Sequence, residues 1–231
     1  KRINDLRKNF KEIIEKYKNY NNSDIIKPNY KQIWIFWWTG LENAPPIVKM
    51  CISSIQKNFH GNNITIITQF NYLNFTFIPS YIIEKLNSGK FRIVHFTDIY
   101  RMSLLASRGG MWLDATMFAN KEISMDWFNY PYYSIHFDDD FDLIFGKWCG
   151  FCQSSYINCI VPKFCAEMLF AYWEKFDKLV HYFLVDYIMI IGYENIPSFN
   201  RLIQAIPLNN YGVHELYNHI FNTSNSAIFN L

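Results

Sequence analysis

Four oxygen- and nitrogen-bearing side chains lie within one short stretch: Asp98, Arg101, Asp114 and Thr116. A carboxylate accepts hydrogen bonds and binds hard divalent cations through oxygen. A guanidinium presents a planar fork of donors that matches phosphate or carboxylate geometry. Delivered to one place, two acids and a base could grip a polar, charged ligand. Taken singly, each has a plainer reading: Asp98 as a helix cap, Arg101 as its ion-pair partner, Asp114 as the start of a turn.

The elements around these residues decide between the readings. Ile99, Met102, Leu105 and Ala106 recur at spacings of three and four, which predicts a helix. On that helix Asp98 and Arg101 share a face. Arg108 suits the negative helix end, and Gly109-Gly110 supply the left-handed residue that stops it. Met111-Trp112-Leu113 then reads as a short buried strand. If the strand persists, Asp114 and Thr116 point to the same side. The end of a strand in an α/β sheet is where ligands collect.

The stretch D-I-Y-R, seven residues, then G-G-M-W-L-D-A-T resembles the core of the capsular polysaccharide synthesis glycosyltransferases. That family is related to DXD-containing transferases that include yeast-type mannosyltransferases and clostridial glucosylating toxins. The resemblance implies a GT-A (Rossmann-like) nucleotide-sugar-binding fold, an α/β architecture with a mixed, mainly parallel sheet. It puts Asp98 and Arg101 on the donor sugar and Asp114 at the ribose and the metal-bridged diphosphate. Thr116 stands where a second Asp is expected, so Asp114 with Thr116 would meet the divalent cation, Mn²⁺ or Mg²⁺. The tract I-W-I-F-W-W-T-G matches the first strand of these enzymes. Its Trp37 falls on an aromatic that stacks on uracil, with Thr39 and Gly40 beside the nucleotide.

Composition limits the alternatives. The 231 residues fit one large domain, half of them hydrophobic and 19% aromatic. A formal charge of +2 gives no reason to expect a nucleic-acid partner. Five cysteines show no framework spacing, Cys149 and Cys152 being the one close pair, so buried thiols in a reducing, cytoplasmic setting are expected. No run of 18 uncharged apolar residues predicts a transmembrane helix. The first residues lack the apolar region of a signal peptide, and the sequence opens without Met, as a fragment or processed chain does.

Along the chain, Ile3, Leu6, Phe10, Ile13, Ile14 and Tyr17 form the stripe of an N-terminal amphipathic helix over residues 3–20, with a basic opposite face. Its stripe is expected to pack on the domain; the other reading is peripheral contact with the inner face of an anionic membrane. Residues 1–24 are read as helix and linker, and 25–231 as a single transferase domain. Gln32–Trp38 and Asn63–Thr68 predict strands around a helix opened by Pro45-Pro46, whose inner face is Ile47, Met50, Cys51, Ser54 and Ile55. Trp34 and Trp38 are expected in the core. A short helix is expected over Pro79–Leu86 and a short strand over Phe91–Val94. Later strands are expected over Pro131–Phe137, Phe141–Phe145 and Trp148–Ile160, and helices over Pro162–Phe176 and Leu179–Ile191.

Asp186 lies among Tyr182, Phe183, Tyr187 and Ile190, where a carboxylate needs a partner, which makes it a further catalytic candidate. Asp138-Asp139-Asp140 reads as a solvated turn. His219, with His214 and Glu215 nearby, is a candidate for the last metal ligand. The expected activity is transfer of a sugar from a UDP-sugar to a glycan or lipid-linked saccharide, with retention of configuration implied by the resemblance. Two other readings stay open: a non-catalytic glycan-binding module, and a toxin-like protein glycosyltransferase or donor hydrolase.

Overall fold

The structure is a computed structural model that describes residues 1–20, 22–59, 63–137, 144, 146–210 and 228–230. In chain order its elements are α1 (Arg2–Asn9), α2 (Lys11–Lys18), β1 (Gln32–Phe36), α3 (Pro46–Asn58), β2 (Asn63–Ile67), α4 (Ser80–Asn87) and α5 (Ile93–Arg108). These are followed by β3 (Gly110–Asp114), β4 (Met117–Ala119), β5 (Tyr132–Ser134), β6 (Cys152–Ser155), α6 (Ile160–Lys175), α7 (Leu184–Asn195), α8 (Pro197–Gln204) and β7 (Ile228–Asn230).

Five strands form one sheet in the order β2-β1-β3-β6-β5. β1 is parallel to both β2 and β3, whereas β6 is antiparallel to β3 and to β5. The sheet is therefore evenly mixed rather than mainly parallel. Every residue of β1 is buried, as a central strand covered on both faces requires, which is why Q-I-W-I-F lacks alternation. The chain leaves β1 toward β2 and returns through α4 and α5 to pair β3 on the other side of β1. That reversal of strand order opens a crevice at the carboxyl ends of β1 and β3, where Phe36 is paired with Asp114.

α5 is the central helix. Nine of its residues are buried, including Phe96, Ile99, Tyr100, Arg101 and Met102. It begins at Ile93, so the strand expected over Phe91–Val94 is a loop and the first helical turn. Gly109 and Gly110 end it with φ of 64° and 90°. A Cβ on Gly109 would lie 2.7 Å from the Ser155 carbonyl oxygen, and one on Gly110 would lie 2.8 Å from that of Gln32. Glycine here serves both the turn and the close entry of β3 between its neighbours.

The expected single N-terminal helix is two, broken at Phe10 where φ is −122°. Leu6, Phe10, Ile14 and Tyr17 are buried in the same core as the rest of the domain, Tyr17 donating to a Glu167 carboxylate oxygen at 2.8 Å. Arg7 pairs with Glu194, and Lys16 with Glu167 at 2.8 Å. The apolar stripe is thus committed to α6 and α7, which removes the face a membrane-lying helix would need.

Other expectations shift in detail. On α3 the inner face is Val48, Cys51, Ile52 and Ile55, while Ile47 and Met50 are exposed. The tract expected as strand over Trp148–Ile160 is β6 alone, and Ile160 already starts α6. Residues 131–137 give only β5, and the apolar tract from Leu179 becomes helical at Leu184. α8 went unpredicted. Asp138-Asp139-Asp140 and His214 with Glu215 lie outside the described residues, as does the strand expected over Phe141–Phe145 apart from Ile144, which is in a turn. All five cysteines are buried and none is in a disulfide. Burial pushes the Cys51 thiol above its ordinary pKa, and the Cys152 thiol further.

Candidate active site

A cavity of about 390 Å³ opens in the crevice at the carboxyl ends of β1 and β3. Trp37, Trp38 and Thr39 wall it after β1, Asp114 to Thr116 after β3, and Ile93, Val94 and Thr97 from the first turns of α5. The strand expected to continue through Thr116 ends at Asp114, and the chain turns there into β4. Asp114 and Thr116 still reach the same cavity, through the turn rather than through strand alternation.

Behind the cavity wall, α5 and β3 bring the predicted charges together. Arg101 Nη2 lies 2.6 Å from Asp98 Oδ1, one helical turn away, and Arg101 Nη1 lies 3.7 Å from Asp114 Oδ1. The Arg101 side chain is only 4% exposed, against 21% for Asp98 and 37% for Asp114. Its guanidinium carbon sits 5.8 Å from the Trp112 ring centroid, and a Cβ on Gly150 would come within 3.4 Å of its Nη2. The small residue at 150 leaves space for the buried fork. The Arg101 guanidinium is placed to hold two carboxylates, and neither it nor Asp98 is among the residues that line the cavity.

Two tryptophans that sequence reasoning assigned to no site complete the cluster. The Trp112 indole N–H donates to Asp114 Oδ1 at 2.7 Å, and the Trp148 indole N–H donates to Asp186 Oδ1 at 3.1 Å. The first was detectable, since Trp112 and Asp114 are two apart on a strand and so share a face. The second joins residues far apart in sequence and left no local signal. Asp186, in the first turn of α7, acts on both Asp98 and Arg101.

The electrostatics follow from this crowding. Burial raises the Asp98 pKa to about 6, with Asp186 and Asp114 adding repulsion and Arg101 opposing it. Burial pulls the Arg101 pKa down, but the attraction of Asp98, Asp114 and Asp186 outweighs it and the net direction is upward. Arg101 remains a fixed cation at any working pH.

Of the remaining predicted residues, Trp37 and Thr39 line the cavity, while Gly40 stands at the adjoining turn with φ of 84° and open space around its missing Cβ. Its glycine answers a backbone requirement, not a close approach. Trp34 is a core residue whose indole N–H donates to the Gly109 carbonyl at 2.9 Å. Trp38, expected in the core, packs on Tyr72 and Phe96 and also borders the cavity. The Trp37 indole nitrogen is buried with no hydrogen-bond partner. His219 lies outside the described residues. Among the described residues no three His, Cys, Asp or Glu side chains gather closely enough to hold a metal ion.

Comparison with known proteins gives two findings. The profile of a family described as capsular polysaccharide synthesis protein matches residues 2–230. Among solved structures, one described as PaToxG glycosyltransferase is similar with a TM-score of 0.50 and 15% sequence identity, covering 88% of this chain and 83% of that one. A search of curated proteins returns no match.

Proposed function

Because this chain belongs to the capsular polysaccharide synthesis family, we propose that its crevice transfers a sugar from a nucleotide-sugar donor, UDP-linked, to a saccharide acceptor. One observation carries the reading: Asp98, Arg101 and Asp114 converge beside a cavity walled by Trp37, at the carboxyl ends of β1 and β3. A GT-A arrangement is part of the proposal, supported by the strand reversal that creates the crevice.

In this reading the base stacks on Trp37, a contact worth roughly 1–3 kcal/mol. The unsatisfied Trp37 indole N–H gives an acceptor atom on the nucleotide something to bond. Asp114 faces the diphosphate. One of its carboxylate oxygens is fixed by Trp112 and approached by Arg101, and the residue lines the cavity. Asp114 and the Thr116 hydroxyl, which both line the cavity, would hold the divalent cation. Mn²⁺ or Mg²⁺ held there would supply positive charge to offset the negative charge of the diphosphate.

Asp98 accepts hydrogen bonds from donor hydroxyls, and Arg101 keeps it ionised and oriented. Asp186, tied to Trp148 and electrostatically coupled to Asp98, borders the acceptor side. Retention of anomeric configuration by same-face attack is included in the proposal and is read from the anomeric form of the product by NMR. Five buried cysteines outside any disulfide support a cytoplasmic location.

The test is release of nucleoside diphosphate from a panel of UDP-, GDP- and dTDP-sugars, with and without Mn²⁺ and with saccharide acceptors. The parent protein releases UDP and Asp114→Ala does not. No release from any donor leaves a glycan-binding module as the better account, and equal release by both proteins removes Asp114 from the site.

A further inference from the structure

Exposed apolar side chains stand on the segments that adjoin the cavity, and Ile93 and Val94 line it. On one side, the loop after β2 exposes Phe70 at 83% and Leu73 at 63%. The same loop reaches the cavity wall through Tyr72, whose ring lies 5.3 Å from that of Trp38. On the other side, Ile93 and Val94 line the cavity and are still more than a third exposed. Next to them the segment leading into α7 exposes Tyr182 at 53% and Phe183 at 48%. The two segments meet where the rings of His95 and Tyr182 approach to 5.7 Å and where Lys90 pairs with Asp177 at 3.4 Å.

Cations flank this rim. Lys90 and Arg92 precede α5, and Lys178 stands shortly before Tyr182, all exposed. Aromatic and aliphatic side chains bordered by Lys and Arg are the chemistry of a surface that sits at a lipid–water boundary. Each Lys or Arg near an anionic bilayer adds roughly 1 kcal/mol of attraction. No helix among the described residues is long and apolar enough to cross a membrane. Any contact these residues make with a bilayer is therefore peripheral. The N-terminal stripe cannot serve, since Leu6, Phe10, Ile14 and Tyr17 are buried in the core.

We propose that the rim formed by Phe70, Leu73, Ile93, Val94, Tyr182 and Phe183 docks the mouth of the cavity onto an anionic lipid bilayer. The apolar side chains enter the headgroup region while Arg92 and Lys178 meet lipid phosphates. The consequence for transfer, an acceptor presented from the bilayer, rests on the function proposed above; the docking itself does not.

The experiment is cosedimentation of the chain with vesicles of phosphatidylcholine alone and of phosphatidylcholine with phosphatidylglycerol, at low and high salt. Binding is expected to the anionic vesicles, weakened at least tenfold by high salt. The double variant Tyr182→Ser/Phe183→Ser is expected to bind at least tenfold more weakly, with the parent's thermal midpoint. Lys178→Glu tests the charge independently of the apolar side chains and is expected to weaken binding to anionic vesicles only. Equal binding by parent and variants overturns the proposal, as does binding to neither vesicle. So does self-association of the parent that the double variant abolishes without vesicle binding, because the rim is then a contact between copies. Capture of soluble glycan by the rim in place of vesicles overturns it too. Vesicle binding is read without any donor, so failure of sugar transfer and failure of docking are separate results.

Discussion

Replacing Arg101 by Met keeps much of the side-chain volume and removes the charge. Arg101 is 4% exposed and contacts Asp98 at 2.6 Å and Asp114 at 3.7 Å, so the variant leaves carboxylates crowded together without their cation. Breaking a buried ion pair from one side costs about 3–5 kcal/mol. At roughly 2–4 °C per kcal/mol for a chain of this size, the midpoint should fall by about 6–20 °C. The loss has a specific remedy. Asp98→Asn in the same chain removes the nearest stranded carboxylate and should recover about 1–3 kcal/mol, as coupled residues in one network do. Urea unfolding of parent, both single variants and the double variant gives the cycle. Strictly additive losses, or an Arg101→Met cost under about 1 kcal/mol, would refute the view that this guanidinium holds the cluster together.

Four further outcomes follow from the same geometry. Asp98 has a folded pKa of about 6 against an ordinary 3.8, so the native state keeps a proton that the unfolded chain releases. Ionising it therefore costs stability as pH rises from about 4 to 6. The stability difference between Asp98→Asn and the parent should therefore move toward the variant by up to roughly 3 kcal/mol across that window, measured by urea titrations at each pH. Gly110→Ala, at φ of 90° with a Cβ 2.8 Å from a backbone oxygen, should cost on the order of 1–2 kcal/mol for the backbone alone, seen as a lowered urea midpoint. Trp112→Phe removes the 2.7 Å bond that aims Asp114 and should cut donor turnover about 10–100-fold, with the loss larger at limiting Mn²⁺. Thr116→Asp restores a second carboxylate beside Asp114 and should lower the Mn²⁺ concentration giving half-maximal turnover.

The parts of this site that could be read from the sequence were those carried by local periodicity. Asp98 and Arg101 on one helix face, the glycine stop, and a buried strand ending in Asp114 all depend on spacings of a few residues. β1 announced itself by a continuous apolar run, and α3 by its prolines. Long-range arrangements were not legible. Nothing local in the sequence shows that Trp148 bonds Asp186, or that Arg101 reaches Asp114 as well as Asp98. The N-terminal stripe was visible as a stripe, but its partner is α6 and α7, and periodicity does not say what a stripe packs against. The strand expected over Phe91–Val94 failed because a short β-branched run is ambiguous, and here the first turn of a long helix claimed it. The parallel character of the sheet was overestimated because a fully buried strand looks alike whether its more distant neighbours run with it or against it. The antiparallel pairing of β6 with β3 and β5 is a tertiary fact.

The central claim is that a nucleotide diphosphate lies between Trp37 and Asp114, and calorimetric titration with UDP in the presence of Mn²⁺ tests it most directly. The account predicts saturable one-to-one binding by the parent. Trp37→Ala should weaken it by about 1–3 kcal/mol through lost stacking. Asp114→Ala should bind UDP with no dependence on Mn²⁺. Parent-like, Mn²⁺-dependent binding by both variants would contradict the account, because the nucleotide would then sit elsewhere.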